Sequence, residues 1–64
     1  METIAAAIEA GYQAEIANLY KAFSEAMLTA KDNNAMVDDA RERFKAGLER
    51  AKYIRNTART LADL

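Results

Sequence analysis

The chain is 64 residues long with a formal net charge of −1, two Gly, and no Pro, Cys or His, the composition of one small and almost wholly helical domain. Without Cys or His there can be no disulfide framework, no thiolate or imidazole metal site, and no Cys or His nucleophile or base. Ser24 is the only serine and has no base beside it, and no glycine-rich phosphate loop is present, so no enzymatic activity is expected. Glu2, Glu9 and Glu15 precede the first base, Lys21, and no apolar run reaches membrane-spanning length. The expectation is therefore a cytoplasmic protein with neither a signal peptide nor a membrane span.

In chain order, the first element is carried by Ile4, Ile8, Tyr12, Ile16, Leu19, Phe23 and Met27, which recur at steps of three or four and form one stripe. This predicts a helix over about 3–31. Lys31 stands where a helix C-terminus favours a cation. Asp32, Asn33 and Asn34 tolerate left-handed backbone and can cap a following helix, which predicts a turn over 32–34.

Asp32-x-Asn34 also has the spacing that opens a calcium-binding loop. The pattern fails further on: Met36 and Val37 stand where an oxygen ligand and a Gly belong, and Arg43 replaces the closing Glu. A structural turn is the reading that fits.

The second element is more regular. Val37, Phe44, Ala51 and Ala58 are seven apart, as are Ala40, Gly47, Ile54 and Leu61, giving a heptad seam along a helix over about 34–62. Asp38 and Asp39 are expected in its first turn, compensating the dipole, and Lys52, Arg55 and Arg59 lie towards the favourable C-terminal end. Asp38, Asp39 and Glu42 could suggest a divalent-metal cluster, but adjacent helical residues diverge by about 100° and cannot converge on one ion without a second segment, where the first helix offers only Glu25. No metal and no cofactor is expected.

A short link between two long helices implies an all-α antiparallel hairpin. Folding the chain about residue 33 opposes residues whose numbers sum to about 66, setting Leu19 on Gly47, Ile16 on Ala51, Ile8 on Ala58 and Ala22 on Phe44. Residues 1–34 hold five acids and two bases, whereas 35–64 hold five acids and seven bases. The same register brings Glu25 near Arg41, Glu15 near Arg50, and Glu9 near Arg55 and Arg59. Gly47 is accounted for by close packing against Leu19, and Gly11 by relief of crowding near Tyr12 and Ile54 or, as the alternative, by the approach of a partner helix.

Two helices leave one side of each wet. Tyr20, Leu28, Met36, Leu48 and Tyr53 fall off the seam and are expected to form a second apolar ridge for self-association or partner binding, most simply in a twofold four-helix bundle. The functional expectation is a homodimeric protein–protein interaction module acting as a regulator, inhibitor or chaperone-like adaptor. Arg41, Lys45, Lys52, Arg55 and Arg59 form a basic stripe, so a nucleic-acid-binding dimer, most simply one that contacts RNA, is the alternative. A structural assembly subunit is a third.

Overall fold

A computed structural model describes residues 3–64, which contain two helices and no strand: α1, Ile4–Ala30, and α2, Asn34–Leu61. Each begins at a side-chain cap. The Thr3 hydroxyl accepts from the Ala6 N–H at 3.0 Å, and the Asn33 side-chain oxygen accepts from the Met36 N–H at 3.1 Å. Each cap satisfies a donor that the first helical turn leaves open.

The reversal falls one residue earlier than expected. The Lys31 N–H donates to the Met27 carbonyl at 3.2 Å, and the Asn33 N–H donates to the Ala30 carbonyl at 2.8 Å, closing a β-turn over Lys31 and Asp32. Lys31 has φ 50° and ψ −116°, the first central position of a type II′ turn. Positive φ was expected on Asp32, Asn33 or Asn34. Asn33 is instead extended, at φ −79° and ψ 101°, because its side chain is committed to capping α2, and Asn34 already belongs to the helix. With α2 starting at Asn34 as expected, Asp38 and Asp39 open its second turn rather than lying in its first.

Three relationships fix an antiparallel register. A Cβ built on Gly47 would overlap Leu19 Cδ2, with Cδ1 at 3.3 Å. Phe23 and Phe44 stack with centroids 4.7 Å apart and planes 19° apart. The Arg55 guanidinium lies over the Tyr12 ring, 4.3 Å from its centroid. These pairs sum to 66 or 67, the register expected from folding the chain about residue 33. At the Phe44 level the structure sets ring against ring, so the expected alternation of large and small breaks there.

The helices meet along a line, and only small side chains reach it. Ala30, Ala40 and Ala51 are the buried residues among those described, with no larger side chain enclosed. The Cα envelope measures 47 × 20 × 7 Å with a radius of gyration of 14.8 Å, against about 10.7 Å for a compact chain of this length. The fold is a single layer.

Candidate functional site

Since the interior holds no site, the two flat faces of the hairpin are what can act. At about 100° per residue, each helix turns a different set of side chains to either side of the seam.

One face is a shallow apolar groove. Near the turn it is lined by Ala22, Glu25, Thr29, Met36, Asp39 and Arg43. At mid-length it is lined by Glu15, Asn18, Leu19, Gly47, Arg50 and Ile54. Towards the termini Ala7, Ile8, Gly11, Ile54 and Ala58 continue it. Ile54 is 46% exposed there, and a Cβ on Gly11 would meet nothing within 4 Å. The crowding expected against Ile54 is therefore absent. Its side of α1 stands open, while Gly47 is filled by Leu19 as expected.

The opposite face is basic and aromatic. Phe23, Arg41, Glu42, Phe44, Lys45 and Leu48 line a depression on it, and helical spacing adds Lys52 and Arg59 from α2 and Tyr20 from α1. Tyr20 is exposed and Leu48 half-buried. Across the seam they sit at one level.

The five residues expected to form one apolar ridge are thus divided. Tyr20 and Leu48 share the basic face, and Met36 lies on the groove face. Leu28 stands two residues before buried Ala30, and Tyr53 two residues after buried Ala51, so each points about 160° from the seam. They are 76% and 70% exposed, on opposite outer edges of the hairpin. The spacing that set them off the seam left open which side each would take. Ile54 and Leu61, assigned to the seam by the heptad pattern, are exposed, and Ile4 with them.

The basic stripe holds together as a face, with one member diverted. Arg55 lies over Tyr12 and its Nε donates to the Asn56 side-chain oxygen at 3.4 Å, leaving Arg41, Lys45, Lys52 and Arg59 as the outward cations. None of the expected interhelical ion pairs forms. The one ion pair among the described residues is Arg43–Asp39, 2.9 Å, within α2 and exposed. Glu9 instead accepts from the Gln13 side-chain amide at 3.3 Å. Exposed pairs contribute about 0–1 kcal/mol against the entropy of two long side chains, too little to dictate their rotamers.

Among the described residues no three acidic side chains gather where they could hold a metal ion, and no helix is long and apolar enough to cross a membrane. The chain is an all-helical hairpin with two chemically unlike faces. No protein-family model matches it, and the comparisons with curated proteins and with solved structures return no match.

Proposed function

We propose that this chain is a non-enzymatic protein–protein interaction module that self-associates, most simply as a twofold four-helix bundle, and presents a helix face to a partner protein as a regulator, inhibitor or adaptor. The observation that carries the reading is surplus surface. The hairpin exposes 5128 Å², whereas a compact monomer of 7.1 kDa exposes about 4,100 Å². The excess, about 1,000 Å², is close to the roughly 800 Å² that one partner contributes to a standard interface. It includes Ile4, Tyr20, Leu28, Met36, Tyr53, Ile54 and Leu61, all exposed.

Sedimentation equilibrium of the pure protein at micromolar concentration tests the self-association. Affinity capture with the wild type and a Tyr20→Ala/Leu48→Ala variant tests the partner face. The expected result is a stoichiometric partner held by the wild type and lost by the variant at unchanged circular dichroism. A monomer that captures nothing would defeat the proposal.

A second reading, nucleic-acid binding, is favoured by Arg41, Lys45, Lys52 and Arg59, which share a face and form no ion pair among the described residues. It predicts RNA or DNA binding that weakens with salt by about one unit of log–log slope per phosphate contacted. No anisotropy change at about 50 mM salt would remove it.

A further inference from the structure

The two faces differ in how they would meet a copy of themselves. On the basic face, α2 offers Arg41, Lys45, Lys52 and Arg59 against one carboxylate, Glu42, and α1 adds one more, Glu9, so cations outnumber carboxylates four to two. Stacking it on itself would crowd cations. On the groove face α1 supplies the carboxylates Glu15 and Glu25, while α2 supplies Arg50, Asp39 and Arg43, the last two paired with each other at 2.9 Å. A second copy that lays its α1 over this α2 brings Glu15 onto Arg50, which forms no ion pair among the described residues.

Only one twofold arrangement does that. An axis parallel to the helices, with both turns at one end, places each α1 over the partner's α2 at matching levels. Residues summing to about 66 then face each other between copies as they do within one. Glu15 comes opposite the partner's Arg50, and Ile54 comes opposite the partner's Gly11. An axis perpendicular to the helices sets α1 on α1 and α2 on α2, bringing Glu15 near the partner's Glu15 and Arg50 onto the partner's Arg50.

We propose that the groove face docks a second copy of this chain about a twofold axis parallel to the helices, with the turns at the same end, Ile54 seated over the partner's Gly11 and Glu15 opposite the partner's Arg50. Gly11 supports this independently. A mid-helix Gly costs about 1 kcal/mol relative to Ala, and no side chain of α2 comes within 4 Å of where its Cβ would lie. A partially exposed isoleucine from a partner supplies an occupant of the right size. The surplus surface is of the size that one partner contributes to such an interface. This inference rests on the self-association proposed above, and it leaves Tyr20, Leu48 and the outward cations on the two outer faces of the dimer.

The test combines charge reversal in trans with a distance. Glu15→Arg alone and Arg50→Glu alone should each weaken dimerisation by roughly ten- to a hundredfold, because each sets like charges across the twofold in two places. Mixing the two variants should restore near-wild-type affinity as a heterodimer, since every cross-chain pair then has opposite signs. A pairing within one chain cannot be repaired by mixing. Gly11→Leu, which adds bulk on an open side of α1, should abolish the dimer without lowering helicity. Spin labels at Asp32→Cys, in the turn, should lie well under the 47 Å length of the hairpin from each other. If the wild type is monomeric, the self-association reading fails, and this geometry with it. If it dimerises with labels about 47 Å apart, or mixing restores nothing, that reading stands and this geometry is overturned.

Discussion

The isobutyl group of Leu19 occupies the space that a methyl group on Gly47 would need. Adding a Cβ there gains about 1 kcal/mol of helix propensity but forces the half-buried Leu19 side chain to shift, at a cost of about 1 kcal/mol or more. Gly47→Ala should therefore be neutral or destabilising in the wild type. In a Leu19→Ala background it should stabilise by about 1 kcal/mol. Urea denaturation of the four proteins gives the coupling directly, and equal effects in both backgrounds would refute the contact.

Lys31 holds φ 50° in a turn position that glycine normally fills. For a residue with a Cβ, left-handed backbone costs about 1–2 kcal/mol, and glycine's greater freedom in the unfolded chain returns about 0.4–1 of it. Lys31→Gly should stabilise the hairpin by about 0.5–1 kcal/mol, raising the urea midpoint at unchanged m-value. A lowered midpoint would mean that Lys31 does not adopt this conformation.

The cap on α2 has a local readout. Asn33→Ala removes the acceptor for the Met36 N–H, and should cost about 1 kcal/mol while speeding amide exchange at Met36 and its neighbours. Unchanged exchange there, with the same overall loss, would place the role of Asn33 elsewhere.

Phe23 and Phe44 form the largest pair across the seam. Their stack should be worth about 0.5–1.5 kcal/mol of coupling in a Phe23→Leu/Phe44→Leu cycle, in addition to the area each loses. Additive effects would show that the rings do not touch in solution.

Helix, turn and register were legible because they rest on short-range chemistry: period, caps and seam spacing. Leu19 on Gly47 follows from folding the chain about residue 33. The same arithmetic placed Phe44 on Ala22, one residue from Phe23, and an error of one position decides whether a ring meets a methyl or another ring. Charge pairing was less legible. Arg55 takes the Tyr12 ring in preference to Glu9, and long exposed side chains are not held by pairs of so little energy. The apolar ridge failed for a geometric reason. From Tyr20 to Leu28 is eight residues, about 80° of further rotation, enough to move a side chain from a face to an outer edge.

Ala30 and Ala40 lie beside the turn and Ala51 near mid-length, whereas Ile4 and Leu61 at the far end are 64% and 82% exposed. The hairpin is thus pinned at its closed end and slack at its open one. A chain tightened in this way should zip from the turn, where loop closure is cheapest, and fray from the termini. A binding event that clasped the open end would draw on order the single chain has not yet spent, so its rigidity would arrive with its partner.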